Sequence, residues 1–325
     1  MSNYYKFMNK VLVILGPTAT GKTDVALFLA KKYNGELVAC DSRQVYRSLD
    51  IGTGKMPGQD LRFKRYDSRW EINRVKIWMY DVADPKKQYT VKDYIDQATA
   101  VVEDILNRGK LPIIVGGTGL YLKGLLYGFP NLNIPVDENL RGELEKLSKE
   151  KLQEKLIALS PTRFEKLTDS DKKNSRRLLR SIELILMNPY STTVHSSQLT
   201  AHSWDILKIG LTAPRDILKK RIFLRLVSRI DQGMIKEAEE LFKNGLTLQR
   251  MKELGLEYGM LAKFISKEIT KDQLIDQLSV KIFQYAKRQI TWFKKEQGVL
   301  WFDITKRGWE PKVEKKVASW YYAGI

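Results

Sequence analysis

Short apolar runs recur along the chain on both sides of its middle part and predict buried strands. Residues 11–15 form one such run, followed by a glycine-containing turn and an amphipathic stretch at residues 24–32. This order is typical of a strand, a loop and a helix packed on a sheet. Similar runs predict strands at residues 36–40, 76–80, 111–115 and 206–211. Because helical stretches separate most of these runs, the pattern predicts an α/β protein with a parallel sheet flanked by helices.

The remaining pattern predicts helices within the α/β core and a separate segment that is helical throughout. Residues 91–108 repeat apolar side chains every three or four positions, which predicts a helix, and two long helices are predicted at residues 214–242 and 271–295. Between residues 134 and 202 strand-like runs vanish and Lys and Glu dominate. Asn133, Pro135, Pro189 and a Ser/Thr-rich stretch at residues 190–200 mark the edges. We therefore predict an all-helical domain of residues 134–202, inserted into a core made of residues 1–133 and 203–325.

The composition adds a strong basic charge to this picture. The chain has 325 residues, and 56 Lys and Arg against 38 Asp and Glu give a formal net charge of +18. Such an excess attracts polyanions, although charge by itself leaves open a basic protein without such a partner. No apolar run approaches the ~18 residues that cross a membrane, so we expect no membrane segment.

Cysteine and histidine are too scarce to carry metal or disulfide chemistry. Cys40 is the single cysteine, and His195 and His202 are the two histidines, so a four-ligand zinc site and an internal disulfide are both excluded. The first ten residues lack the apolar core of a secretion signal. We expect a protein of the reducing cytoplasm, and we interpret Cys40 as a small buried side chain.

The turn after the first strand carries the clearest chemical motif. It matches the phosphate-loop pattern G-x-x-x-x-G-K-[ST] in its proper place between a strand and a helix. Backbone N–H groups of such a loop surround a diphosphate, the lysine neutralises charge, and the last hydroxyl binds Mg²⁺. The motif does not say whose diphosphate is held. The loop consists of Gly16, Pro17, Thr18, Ala19, Thr20, Gly21, Lys22 and Thr23.

The ends of three other predicted strands offer competing clues. Asp41 follows the second strand, where side chains face the ligand crevice of an open α/β sheet, and it fits a general base, a Mg²⁺ contact through water or an ordinary turn residue. Asp81 follows the run at residues 76–80 and would suit a kinase or other NTPase. Thr118, in a glycine-rich turn after residues 111–115, offers a neutral hydroxyl instead of an acid. The residues alone leave these alternatives open.

Five segments taken together resemble the tRNA dimethylallyltransferase family, also called tRNA isopentenyltransferase, in its compact bacterial form. They are GPTATGKT from residue 16, DSRQVYRSLDIGTGK from residue 41, VGGTGLYLKGLLYG from residue 115, the basic segment at residues 176–180, and KRQITWFKKE from residue 287. They occur in family order over nearly the whole chain. The resemblance implies a P-loop α/β core that carries an inserted helical domain.

The resemblance also implies an activity and a set of site residues. The protein would transfer a dimethylallyl group from dimethylallyl diphosphate to N6 of the adenosine 3′ of the anticodon in certain tRNAs, with Mg²⁺ on Thr23. Asp41, Lys22, Thr118 and Arg221 would be catalytic. The diphosphate would be bound by residues 16–23 and Arg221, and Arg225, one helical turn further on, is a less secure contact. We expect a monomer that needs no membrane.

The remaining residues that the resemblance implies would contact tRNA. These implied tRNA contacts are Asp41, Ser42, Arg43, Gln44, Thr118, Arg141, Arg176, Arg177, Leu178, Leu179 and Arg180.

Two residues depart from the family pattern. Leu256 stands in place of an aromatic residue and Gly54 in place of an alanine, and we expect neither to touch the chemistry. Three alternative functions remain open, which are a prenyltransferase acting on free adenine nucleotides, a P-loop small-molecule kinase dependent on Asp81, and a non-catalytic RNA-binding module.

Overall fold

An eight-stranded sheet organises the larger of the two units into which the chain divides. The computed structural model describes residues 9–57, 61–132, 134–187 and 203–323. The larger unit is Met1–Leu125 with His202–Ile325, and the smaller unit is Leu126–Ala201. The strands are β1 (Lys10–Leu15), β2 (Gly35–Cys40), β3 (Phe63–Tyr66), β4 (Arg69–Ile72), β5 (Val75–Trp78), β6 (Leu111–Gly116), β7 (Asp205–Thr212) and β8 (Val299–Asp303).

The five strands predicted from apolar runs all form, and they are β1, β2, β5, β6 and β7. In space the order is β3-β4-β5-β2-β6-β1-β7-β8, and the five predicted strands are parallel neighbours. Every residue of β1 is buried, because helices cover both faces of a central parallel strand. The parallel register places Leu15 and Cys40 beside Gly116. The loops that follow β1, β2 and β6 therefore start at one edge of the sheet.

Three strands were not predicted from the sequence. The hairpin β3-β4 lies antiparallel at one end of the sheet, so the prediction of a parallel sheet is wrong there. β8 extends the other end in parallel with β7. The reason is local composition, since β3 (FKRY) is exposed throughout and no residue of β8 is buried. β4 buries only every second residue, and neither an exposed strand nor an alternating one produces a continuous apolar run.

Helices flank the sheet in the order that the parallel crossovers require. The predicted single helix at residues 214–242 is wrong, because Gly233 adopts a left-handed conformation with φ 102° and starts a new helix. No helix in the described ranges is long and apolar enough to cross a membrane. The helices are α1 (Lys22–Lys32), α2 (Val91–Asn107), α3 (Gly119–Tyr127), α9 (Arg215–Asp231), α10 (Met234–Lys243), α11 (Leu248–Leu254), α12 (Leu256–Ile265), α13 (Lys271–Phe293) and α14 (Trp309–Tyr321).

The smaller unit is helical around its own leucine-rich core. That core contains Leu144, Leu152, Leu156, Leu178, Leu179 and Ile182. The unit begins at Leu126, earlier than the predicted boundary at residue 134. Asn133, Pro189, the stretch at residues 190–200 and both histidines lie outside the described residues. Its helices are α4 (Glu138–Glu145), α5 (Lys149–Leu159), α6 (Pro161–Glu165), α7 (Asp169–Lys172) and α8 (Ser175–Met187).

Glu36, near the amino end of β2, is a buried carboxylate that forms ion pairs with Arg108 and Lys110. Oε1 of Glu36 accepts hydrogen bonds from Nη1 of Arg108 at 2.7 Å and from Nζ of Lys110 at 2.8 Å, and Trp78 Nε1 donates to Oε2 at 2.8 Å. Burial by itself raises the pKa of the Glu36 carboxyl, but these donors outweigh burial and lower that pKa to about 2. The charged carboxylate is therefore favoured in the folded state.

We expect Glu36→Gln to destabilise the protein by about 1 to 3 kcal/mol at pH 7, because the carboxylate is lost while its cations stay. A pKa lowered on folding stabilises the protein above the unfolded value of 4.5, and this stabilisation is lost as pH falls through about 2. Urea unfolding of both proteins at several pH values measures it. A stability difference that stays constant from pH 7 to pH 3 would contradict the assignment.

Candidate active site

The loop between β1 and α1 has the backbone of an anion-binding turn. Gly16 has φ +141°, and a Cβ atom there would lie 2.2 Å from the Leu211 carbonyl oxygen, so only glycine fits. Ala19 and Gly21 also have positive φ, and the Thr20 hydroxyl donates to the Pro17 carbonyl at 2.9 Å. This conformation leads directly into α1, whose first N–H groups and positive dipole end favour an anion.

Lys22 is held inside this loop at a site short of negative charge. Its Nζ donates to the Pro17 carbonyl at 2.7 Å. Burial, reinforced by the positive charge of Arg225, lowers the pKa of Lys22 to about 7, while the charge of Asp41 acts in the opposite direction. A bound diphosphate would supply negative charge and favour the charged ammonium group.

Two arginines reach the loop from α9. Arg221 Nε donates to the Ala19 carbonyl at 2.7 Å, and Arg225 Nη1 donates to Thr18 Oγ1 at 3.1 Å. Their spacing of four residues places both on one helix face. The structure therefore brings Arg225, the less secure of the two predictions, to the loop beside Arg221.

Gln289 joins the phosphate loop to the glycine-rich turn after β6, and sequence reasoning did not single it out. Its Oε1 accepts from Thr18 N at 2.9 Å, and its Nε2 donates to the Gly117 carbonyl at 2.8 Å. A Cβ atom at Gly117 would lie 2.1 Å from Nε2, so this glycine makes room for the amide. The available signal was a polar residue on the buried face of α13, within KRQITWFKKE.

Asp41 lies at the start of the loop after β2 with one oxygen bound and one open. Oδ1 accepts from Arg43 N at 3.0 Å, and Arg43 Nε lies 3.8 Å from the same oxygen. Among the described residues, none donates a hydrogen bond to Oδ2. The side chain is 17% exposed. An open, half-sheltered carboxylate oxygen is what a general base requires.

Thr118 forms hydrogen bonds with the residues on either side of Asp41. Its Oγ1 accepts from Ser42 N at 3.0 Å, and its own N–H donates to the Cys40 carbonyl at 3.1 Å. A Cβ atom at Gly116 would lie 2.0 Å from that carbonyl, so glycine permits the close approach. Thr118 does not line the cavity described next, and its contacts assign it to holding the loop. Burial raises the pKa of the Cys40 thiol to about 12, which fits an inert buried side chain.

One cavity of about 500 Å³ in the larger unit brings these groups together. Its charged and polar wall includes Thr18, Lys22, Thr23, Asp24, Asp41, Arg43, Gln44, Lys55, Arg221, Arg225 and Gln289. Its apolar wall includes Leu27, Met56, Pro57, Leu61, Ile72, Tyr80 and Leu224. A cavity with an anion-binding end and an apolar wall fits a small ligand that has a charged head and a hydrocarbon part.

The cavity also offers oxygen atoms to a divalent cation. Thr23 stands at the amino end of α1 beside Asp24, and Asp41 lines the same cavity. Hydroxyl and carboxylate oxygens, with those of a bound diphosphate, are the ligands that Mg²⁺ prefers. The residues present therefore fit Mg²⁺ next to the phosphate loop.

Asp81 is engaged elsewhere. Lys55 Nζ pairs with its Oδ1, and Trp70 Nε1 donates to its Oδ2 at 2.6 Å. Asp81 is nearly buried and does not line the cavity. One oxygen is bound by Lys55 and the other by Trp70, so the acid that the kinase alternative needs is not available.

The basic residues predicted in the smaller unit divide into bound and free groups. Glu183, which is fully buried, pairs with Arg141 at 2.7 Å and with Arg180 at 3.0 Å, and Arg180 also donates to the Ile134 carbonyl at 2.9 Å. Arg177 pairs with Asp171. Arg176 is exposed and makes no ion pair with a described residue.

Leu178 and Leu179 do not fit the prediction that they contact tRNA through their side chains. They are 0% and 6% exposed and belong to the leucine-rich core of the smaller unit. The reason lies in the periodicity of α8, whose apolar positions face inward while the neighbouring arginines face outward. The periodicity of the sequence already separates these two faces, and the contacts of Leu178 and Leu179 were implied only by the family resemblance.

Comparison with known proteins agrees with this geometry. The family model described as IPP transferase matches residues 44–296, and the model described as isopentenyl transferase matches residues 9–77. A tRNA dimethylallyltransferase of Halalkalibacterium halodurans is 34% identical over 94% of both chains. A tRNA dimethylallyltransferase 2 of Treponema denticola is 40% identical over 87% of this chain and 91% of its own.

Solved structures give the same result. The tRNA isopentenylpyrophosphate transferase of Bacillus halodurans is 32% identical, with a TM-score of 0.69 over 96% of this chain and 97% of its own. A eukaryotic dimethylallyltransferase acting on tRNA has a TM-score of 0.76 over 96% of this chain and 78% of its own, and at 24% identity it shows the fold alone. Since a family model matches most of the chain and relatives above 30% identity span nearly all of it, the chain belongs to the IPP transferase family.

Proposed function

We propose that the protein transfers a dimethylallyl group from dimethylallyl diphosphate to N6 of the adenosine 3′ of the anticodon in tRNA, releasing diphosphate. The observation that carries the proposal is the shared cavity, in which the phosphate loop, the open oxygen of Asp41 and an apolar wall meet. The relatives named above are tRNA dimethylallyltransferases.

The phosphate loop would stabilise the leaving group. When the bond between the allylic carbon and the diphosphate oxygen breaks, negative charge grows on the diphosphate. Lys22, Arg221 and Arg225 surround the loop, and donors held in place by the protein need little reorganisation when the charge develops. The apolar wall of the cavity suits the hydrocarbon part of the donor.

Asp41 would act on the nucleophile. An adenine amine is a weak nucleophile because its lone pair is delocalised into the ring, so both positioning and proton removal matter. As the new N–C bond forms, a proton leaves N6 for Oδ2 of Asp41, and the electrons of the broken C–O bond leave with the diphosphate. The target base must first leave its stack to reach a cavity of this size.

Mg²⁺ fits this proposal as a bound ion that shields the charge of the diphosphate. Thr23 would hold it, and Asp24 lines the cavity beside Thr23. The exposed basic face of α8, with Arg176, is the proposed tRNA surface of the smaller unit, since phosphate contacts position an RNA without reading its sequence. Arg141 and Arg180 are held by Glu183, so we assign them to the architecture of that surface.

Incubation of the purified protein with Mg²⁺, labelled dimethylallyl diphosphate and an anticodon stem-loop tests the function directly. We expect label on the RNA and release of diphosphate. A stem-loop with guanosine in place of the adenosine 3′ of the anticodon is the control, and free AMP as acceptor tests nucleotide prenylation. ATP hydrolysis without label transfer would contradict the proposal in favour of a kinase or NTPase.

Asp41→Asn tests the base. The amide keeps the shape of the side chain but accepts a proton poorly, so we expect kcat to fall about 10²-fold to 10⁴-fold while tRNA affinity stays within about threefold. Single-turnover transfer and filter binding measure the two quantities. Asp96→Asn, an exposed carboxylate on α2, is the matched control. Equal losses of rate and affinity would make Asp41 a binding residue.

Arg176→Ala tests the proposed tRNA surface. Loss of one phosphate contact should weaken tRNA binding and reduce the salt slope of log Kd by about 1, with the KM for dimethylallyl diphosphate unchanged. Lys312→Ala removes an exposed positive charge from α14 and should leave the slope unchanged. If both variants behave alike, α8 holds no specific tRNA contact.

A further inference from the structure

Glu257 is a buried acid beside the proposed active site, and neither the phosphate loop nor the base accounts for it. It lies in the first turn of α12 and is 3% exposed. Its Oε2 pairs with Arg43 Nη1, and its Oε1 lies 3.7 Å from Arg229 Nη1. One carboxylate therefore joins the loop that carries Asp41 to helix α9.

The contact with Glu257 is one of three that fix the guanidinium group of Arg43. Its Nη1 is committed to Glu257, its guanidinium lies 4.9 Å from the ring centroid of Tyr285, and its Nε lies 3.8 Å from Oδ1 of Asp41. Arg43 thus approaches Asp41 on one oxygen only. A guanidinium free to turn would form the favoured bidentate pair with a carboxylate and cover both oxygens.

The same acid holds the second arginine against the turn that lines the cavity. Arg229 Nη1 donates to the Gly52 carbonyl at 3.2 Å. A Cβ atom at Gly54 would lie 1.9 Å from Arg229 Nη2 and 2.5 Å from Arg225 Nη2. Gly54 therefore makes room for the arginine pair. Gly54 also lines the cavity.

The negative charge of Glu257 favours the charged forms of two neighbouring arginines, Arg229 and Arg225. Burial and the neighbouring charge of Arg225 lower the pKa of Arg229 to about 9, and the charge of Glu257 opposes them. Burial likewise lowers the pKa of Arg225, again opposed first by Glu257. The charges of Asp41 and Asp24 raise the pKa of Arg225 in the same direction as Glu257 but with a smaller effect.

We propose that Glu257 is a positioning residue for the proposed transfer: its buried carboxylate holds Arg43 beside Tyr285, so that Arg43 steadies Asp41 on Oδ1 and leaves Oδ2 open to the adenine amine. The inference rests on the proposed function and deepens it. Glu257 touches neither substrate nor reacting atom and acts through Arg43.

The test compares Glu257→Gln with Glu36→Gln under saturating tRNA. Both variants remove the charge of a buried glutamate clamped by cations, but Glu36 lies at the opposite edge of the sheet. We expect Glu257→Gln to lower kcat on the order of 10-fold to 100-fold with the KM for dimethylallyl diphosphate within about threefold. Glu36→Gln should lower stability and leave kcat unchanged, and Glu257→Asp should recover part of the rate.

A double-mutant cycle with Arg43→Gln decides whether Glu257 acts through Arg43. If it does, the double variant is no slower than Arg43→Gln alone. Multiplying effects, or a normal kcat in Glu257→Gln, would overturn the inference. If Glu257→Gln does not fold, an unchanged kcat in Arg43→Gln at saturating tRNA overturns it equally. A wild-type protein that labels no tRNA contradicts the proposed function itself, whereas an active wild type with unaffected variants contradicts only this inference.

Discussion

The site depends on the close approach of two backbones at the carboxyl ends of β2 and β6. Gly116 lies beside Cys40 in parallel register, and a Cβ atom there would lie 2.0 Å from the Cys40 carbonyl oxygen. That approach lets Thr118 N–H bind the same carbonyl and Thr118 Oγ1 bind Ser42 N. Asp41, between these two anchors, is fixed next to the phosphate loop. A larger side chain at residue 116 would separate the loops and so separate base from donor.

Charge is the second constraint on the site. Five cationic side chains line the cavity, against the two acids Asp24 and Asp41. The lowered pKa of Lys22, to about 7 through burial and Arg225, shows the imbalance. A diphosphate ligand would offset this excess of positive charge. The charges of the cavity therefore favour the same ligand as the phosphate loop. In our proposal the buried acid Glu257 holds Arg43, so that this guanidinium does not cover both oxygens of Asp41.

The sequence predicted the parts of the structure whose signals are local. The central strands follow from continuous apolar runs, and the phosphate loop follows from its spacing, because both patterns reflect contacts within a few residues. Gln289 and Glu257 were missed because each acts through partners far along the chain, at Gly117 and Arg43. A polar side chain on a buried helix face was the only local sign. The hairpin β3-β4 was missed because β3 is exposed and β4 buries only every second residue, so neither strand produces a continuous apolar run.

The same limit applies to the arginines of the smaller unit. Their sequence shows a run of positive charge, but the structure shows that Glu183 binds Arg141 and Arg180. An arginine already paired with a buried acid releases no counterions when RNA approaches, so it contributes little to salt-dependent affinity. The count of 56 Lys and Arg therefore overstates the number of cations that can meet RNA phosphates. The candidates for such contacts are exposed cations, such as Arg176, that make no ion pair with a residue in the described part of the chain.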